Sequence, residues 1–204
     1  MNDNKPVNLF VFYRRWASDR VSDEALAKFA SLSRIVTKEK GEILFSPPTE
    51  SPQFYILLDG IIKTYILGPD GTENTYAIYF KPGMSISMTK DMINIPGIHC
   101  KALTNCKMIQ LIGYSPFELA EEFPDLWREI VIALQPFYYG MMDKLRAGYT
   151  MTAKERYLWF LNKYPYVVDK ISQVEVANFL GITPQSLSRI RTELAEEQEV
   201  TPSK

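Results

Sequence analysis

One histidine and two cysteines are all that 204 residues offer to metal and redox chemistry. A cupin-type metal enzyme needs several His and carboxylate ligands, which a single histidine cannot supply. An iron–sulfur centre held by four thiolates is excluded by the two cysteines. Haem is not expected either, since a lone His99 beside Cys100 reads as a structural pair. A Ser/His/Asp arrangement would have to spend the same histidine, and no glycine-rich phosphate loop is present. No catalytic residue, metal site or cofactor is assigned, and the chain is not expected to be an enzyme. Cys100 and Cys106 would share one face of an unbroken strand, and cysteines so placed read as core and not as a redox pair.

Long apolar runs are also missing. The greasiest stretch, Ile130 to Met142, is too short to span a bilayer and contains Gln135 and Pro136, so no membrane partner is expected. The opening MNDNKPVNLFVFYRRWASDR has no apolar h-region, which with the few cysteines points to a reducing cytoplasm. Net charge is only -1, so no global basic field announces nucleic acid. Any such affinity has to come from a local patch.

What is present divides at about residue 150. Ser22-Asp23-Glu24 caps a short helix through about Leu32, with Leu26 and Phe29 inward, after a short segment packed by Phe10, Phe12, Tyr13 and Trp16. From Arg34 to about Ile112 the texture is that of strands: Ile43–Phe45, Phe54–Leu58, Ile61–Leu67, Asn74–Phe80 and Lys107–Ile112. Asp59-Gly60 and Asp70-Gly71 are hairpin signals, and the spacing of the breaks predicts an antiparallel barrel or roll. Ser115-Pro116 opens a short helix ending near Glu122. A long helix then runs from Pro124-Asp125 to about Tyr149. Val131, Leu134, Tyr138, Met141 and Leu145 recur on it at three and four residues, a heptad seam that predicts packing on the same helix of a second copy. Pro136 should kink or loosen it.

The second part, 150–204, begins at a hinge, Thr150 to Thr152, where Thr152 and Glu155 form a capping box. A helix follows with Tyr157, Leu158, Leu161 and Tyr164, ended by Pro165, and an extended piece, Tyr166 to Ile171, leads on. Gln173 to Leu194 then reads as two helices about a glycine turn. Ser172 and Glu175 make a capping box, Gly181 ends the first helix, and Thr183 caps the second with Pro184 in its first turn. Leu187, Ile190 and Leu194 face inward, leaving Gln185, Ser188, Arg189 and Thr192 on the solvent face. Ala177, four positions before Gly181, is small where the two helices must touch. This is the plan of a helix-turn-helix reader of double-stranded DNA.

Taken in this order, the chain resembles the Crp/Fnr family of bacterial transcription regulators from about Ala25 to Leu194. The resemblance is carried by Phe54-Tyr55-Ile56-Leu57-Leu58-Asp59-Gly60, by Phe80-Lys81-Pro82-Gly83, and by Thr152-Ala153-Lys154-Glu155-Arg156 running on to Leu180-Gly181-Ile182-Thr183-Pro184-Gln185-Ser186-Leu187-Ser188-Arg189. It implies an α+β chain: a cyclic-nucleotide-binding-like antiparallel β-roll with a dimer helix (1–149) and a winged-helix-like DNA-binding head (150–204). It also implies a homodimer on a palindromic operator, a small effector in the roll, and RNA polymerase as a further partner. Two departures are plain. Relatives that bind cAMP carry a Gly-Glu pair and then an Arg-Ser pair, the arginine for the cyclic phosphate. Here Ser87 and Met88 stand near the first pair, Ile98-His99-Cys100-Lys101-Ala102 near the second, and both the Glu and the Arg are missing. cAMP is therefore not expected, and Ser87, Met88, His99, Cys100 and Lys101 are the candidates for another effector. The second departure is the ending AEEQEVTPSK, too short and acidic for a wing, so the wing is expected to be truncated.

On the head, Arg189 is the candidate for a guanine edge and Gln185 for an adenine, with Thr183, Ser186, Ser188 and Lys154 as phosphate contacts. Pro184 fills a slot where relatives often read a base. Between Met151 and Leu194 six lysines and arginines face four acids, a net of +2, and the tail adds -2. That thin footprint leaves one competing expectation, a regulatory ligand- or protein-binding module whose DNA head has degenerated.

Overall fold

Among the described residues, eight strands form two antiparallel four-stranded sheets that close the roll, and eight helices flank and follow it. The computed structural model describes residues 8–48, 51–88 and 97–200. One sheet runs β1 (Ser33–Lys38), β8 (Cys106–Leu111), β3 (Gln53–Asp59), β6 (Ser85–Met88). The other runs β2 (Ile43–Phe45), β7 (His99–Ala102), β4 (Ile62–Leu67), β5 (Glu73–Tyr79). Tyr55, Leu57, Ile62, Tyr79, Ile86, Cys100 and Met108 fill the space between the sheets.

The two Asp-Gly signals part company. Asp70-Gly71 closes the β4–β5 hairpin as expected. Asp59-Gly60 does not close one: β3 pairs with β6 and β8, while β4 pairs with β5 and β7. The chain instead crosses from one sheet to the other at Gly60, which has φ of 102°. A Cβ there would lie 2.6 Å from both the Asn105 carbonyl oxygen and Cys106 Sγ, so the crossing needs glycine twice over. Cys100 and Cys106 also fall on different strands, correcting the single-strand expectation, and both are buried free thiols.

The N-terminal helices α1 (Leu9–Trp16) and α2 (Asp23–Ser31) cover one end of the roll through Tyr13, Leu26 and Phe29, with Ser22 as the α2 cap. The helix α3 (Pro116–Glu122) has the full Ser115–Glu118 capping box. A single 3-10 turn, Pro124–Leu126, precedes α4 (Trp127–Thr150), which runs through Pro136 as one helix of 24 residues. No helix among the described residues is long and apolar enough to cross a membrane.

After the extended Met151, the Thr152–Glu155 box starts α5 (Ala153–Lys163). The stretch read as extended contains instead one helical turn, α6 (Pro165–Val168), because Pro165 sits at its first position, where its missing N–H costs nothing. The helices α7 (Gln173–Leu180) and α8 (Pro184–Val200) complete the head. Continuation of α8 past Leu194 extends the expected recognition helix by six residues.

Candidate nucleic-acid interface

The turn between α7 and α8 is built as its residues demand. Gly181 takes φ 65° and ψ 41°, and the Ile182 N–H reaches back to the Ala177 carbonyl at 3.1 Å, the six-to-one bond of a Schellman ending. Ala177 is fully buried, so the two helices meet where a larger side chain would separate them. Thr183 accepts from the Ser186 N–H at 3.1 Å and caps α8. Leu187 and Ile190 turn into a core shared with Phe160, Val176 and Phe179.

The opposite face of α8 is open. Gln185, Ser188, Arg189 and Thr192 are all exposed, and Arg189 pairs with neither Glu193 nor any other acid among the described residues. The other four expected contacts stand differently. Ser188 keeps its hydroxyl on this face, although its carbonyl accepts from Thr192 Oγ1 at 3.2 Å. Thr183 Oγ1 donates to Ser186 Oγ at 2.9 Å and accepts from the Ser186 N–H of the α8 first turn. Lys154 donates to Glu197 at 2.5 Å, a contact made possible by the longer α8.

Arg156, in the same motif as Lys154, works inside the head and not on its surface. Its Nε donates to the Leu180 carbonyl at 3.1 Å and its Nη1 to the Met151 carbonyl at 3.0 Å. Both are helix-end acceptors that would otherwise lack partners. The Glu155 carboxyl, accepting from the Thr152 N–H and hydroxyl, is held below the usual carboxylate range.

The seam on α4 is laid bare in the single chain. Val131, Leu134, Tyr138 and Leu145 are exposed, Tyr138 by 59%, and Met141 is half-buried. The helix's other side packs on its own roll, where Phe137 stacks on Tyr79 with centroids 6.4 Å apart. Ile130 meets the N-terminal cluster.

The five effector candidates do not converge. Strand alternation sends Cys100 into the roll core, where burial pushes its thiol well up, and turns its neighbours the other way. His99 stacks on Tyr65 at 5.0 Å. Lys101 binds Glu73 at 2.7 Å and lies 3.8 Å from Glu175. Ser87 lines an apolar groove of about 650 Å³ between α1, β5 and α4, away from all three. The Met88 side chain and the segment 89–96 lie outside the described residues.

Sequence reading missed the partners of Lys101. Lys63 is fully buried, 2.5 Å from Glu73 and hydrogen-bonded to Glu175, whose carboxylate therefore does not return to the Ser172 N–H as a capping box would require. Burial works against the Glu73 charge, yet hydrogen bonds from Lys101 and Lys63 hold its carboxyl below the ordinary range. One signal was available: a lysine inside Ile61-Ile62-Lys63-Thr64-Tyr65 cannot be buried without an acid to meet it.

A two-sheet roll, a long helix with an unpartnered seam and a helix-turn-helix head together make a cyclic-nucleotide-binding-like fold of the kind seen in Crp/Fnr structures. The chain is similar to the nitrogen fixation regulation protein FixK of Bradyrhizobium diazoefficiens, 27% identical over 187 residues, covering 83% of this chain and 75% of that protein. Among solved structures it resembles FixK2 from Bradyrhizobium japonicum, with a TM-score of 0.68 at 17% identity over 81% of this chain and 86% of that one. A structure from Eubacterium rectale described as a regulator of the Crp/Fnr family gives a TM-score of 0.73 at 13% identity, covering 90% and 88%. No family model matches the chain.

Proposed function

We propose that this chain is a non-enzymatic, DNA-binding transcription regulator of the Crp/Fnr type, acting in the cytoplasm as a homodimer on a palindromic operator. The observation that carries the reading is the outward face of α8: Gln185, Ser188, Arg189 and Thr192 are exposed over a buried Leu187–Ile190 row, on a helix capped at Thr183. The likeness to a nitrogen fixation regulation protein supports a regulatory role. Arg189 reads a guanine edge with its guanidinium fork, and Gln185 reads or supports an adenine. With Lys154 tied to Glu197, phosphate contact falls to Ser188 and to the backbone N–H groups at the α8 start.

The exposed apolar seam of α4 supports pairing of two copies, since apolar groups at Val131, Leu134, Tyr138 and Leu145 gain little in water. Dimerisation would place two recognition helices about 34 Å apart on one side of a duplex. The effector is not cAMP in this reading, because the paired Glu and Arg are absent and Tyr55, Tyr79 and Phe45 occupy the roll interior. RNA polymerase is the further partner through which such a regulator would act.

Selection of binding sites from random duplex DNA tests the reading. The full chain should enrich an inverted repeat, and Arg189→Ala should lose about 1–3 kcal/mol of discrimination at one position of each half-site. Unchanged discrimination in Arg189→Ala overturns the assignment of that residue. No enrichment and no gel retardation at low salt would favour the module with a degenerate head.

A further inference from the structure

Lys63 on β4 and Lys101 on β7 are direct cross-strand partners, two ammonium groups held side by side. Like charges placed opposite one another in a sheet destabilise it unless anions intervene. The roll supplies one anion, Glu73, which meets Lys63 at 2.5 Å and Lys101 at 2.7 Å. One carboxylate against two lysines leaves a positive charge uncompensated beside a lysine that is 0% exposed. The second carboxylate comes from another part of the chain: Glu175, in the first turn of α7, binds Lys63 and sits 3.8 Å from Lys101. Neutrality of this cluster is reached only with the head seated on the roll.

The surrounding contacts agree with that seating. Ile61, Ile78 and Leu103 of the roll belong to the same buried cluster as Val176 and Phe179 of the head. One turn beyond Glu175, Phe179 lies under Lys144 of α4, 4.5 Å from Nζ to the ring centroid, and Lys144 also donates to the Thr75 carbonyl on β5. Apolar contact is non-directional and supplies adhesion. Ion pairs at a fixed geometry supply register.

We propose that Glu175 is a built-in ligand of an anion seat formed by Lys63, Lys101 and Glu73, and that this contact is a latch fixing the orientation of the helix-turn-helix head on the roll. Releasing it frees the head to turn about Met151 while leaving each part folded. The consequence for operator spacing rests on the DNA-binding reading above; the latch itself does not.

Amine footprinting of the full chain, without DNA, tests the latch independently of that reading. The chain is treated in parallel with an amine-acylating and a thiol-alkylating reagent and the modified residues are mapped by mass spectrometry, with exposed Lys40 as internal reference and the buried Cys100 thiol as a reporter of roll unfolding. In the native chain Lys63 should be protected. Glu175→Gln, which keeps the shape and removes the charge, should raise Lys63 labelling by about tenfold or more with Cys100 still protected, as a shift of about 1.4 kcal/mol in the opening equilibrium gives. Ser172→Ala removes the α7 cap, a hydrogen bond from the Glu175 N–H, but keeps the Glu175 carboxylate and should leave Lys63 protected. Three results overturn the latch: Lys63 remaining protected in Glu175→Gln, Lys63 and Cys100 becoming reactive together, or Ser172→Ala exposing Lys63 to the same degree.

Discussion

Arg156 spends its guanidinium on two backbone carbonyls, Leu180 at the end of α7 and Met151 at the joint with α4. One side chain thus ties the helix-turn-helix to the start of the head. The planar fork presents its donors at fixed angles, whereas a lysine ammonium is a compact point charge that cannot span both acceptors. Arg156→Ala should lower stability by about 2 kcal/mol, the scale of hydrogen bonds to a charged group, read as a lower urea midpoint of the full chain. Arg156→Lys should recover less than half of the loss, and full recovery would show that charge alone matters there. Residue roles of this kind were only partly legible. Thr152, Glu155 and Gly181 act on neighbours within a few positions, so spacing reveals them. Arg156 acts on a carbonyl 24 residues away, and Glu175 on a lysine 112 residues away, so the same local pattern that suggested a capping box hid the actual partner.

At the scale of elements, α4 is the one whose two sides ask for different partners. Phe137, Ile130 and Ala147 are taken up by the chain itself, while the Val131–Leu145 seam is left open. Tyr138→Glu puts a charge at the centre of that seam without disturbing the chain's own packing, because Tyr138 is exposed in the single chain. Sedimentation should show association weakened by about 2 kcal/mol or more, with the thermal midpoint of dilute protein nearly unchanged. An unaltered sedimentation coefficient in Tyr138→Glu would place the dimer contact elsewhere. The seam was readable because a helix repeats its faces every few residues. The roll was readable in kind but not in connection. An Asp-Gly pair announces a tight turn, yet whether that turn joins paired strands or changes sheets depends on contacts such as Gly60 against Asn105 and Cys106. The strands β1, β6 and β7 are not separately legible in the sequence, although β2, shorter than any of them, is. The turn at Pro165 was misread because a proline ends one helix and begins another equally well.

For the whole molecule, the buried titratable groups set how the fold responds to alkali, and they do not all push one way. Burial lowers Lys144 from 10.5 to about 8 in the folded chain. Between those values the unfolded chain binds more protons at this lysine than the folded one, so its contribution to stability rises with pH. The Cys100 thiol is raised well above 9.0, chiefly by burial and then by Cys106, so its contribution is present below pH 9 and falls as pH climbs beyond it. Burial likewise raises Tyr55 and Tyr164 from 10.0 to about 12, and pushes Tyr13 and Tyr79 up as well. Each buried tyrosine holds its full contribution below pH 10 and then loses about 1.4 kcal/mol per pH unit as the unfolded phenol ionises first. Against a total stability of about 5–15 kcal/mol, four such groups outweigh one lysine within about one or two pH units. The urea midpoint followed by circular dichroism should therefore rise slightly from about pH 8 to 9, hold nearly level from about pH 9 to 10, where Cys100 opposes Lys144, and fall steeply above pH 10. The share of tyrosinate absorbance owed to Tyr13, Tyr55, Tyr79 and Tyr164 should appear in the same step as the loss of structure, apart from that of exposed rings such as Tyr138 and Tyr149, since the buried phenols ionise only when the roll and head open. A midpoint that kept rising beyond pH 10, or the whole tyrosinate signal forming before unfolding with no further rise in the unfolding step, would mean that these rings are reached by water in the native chain.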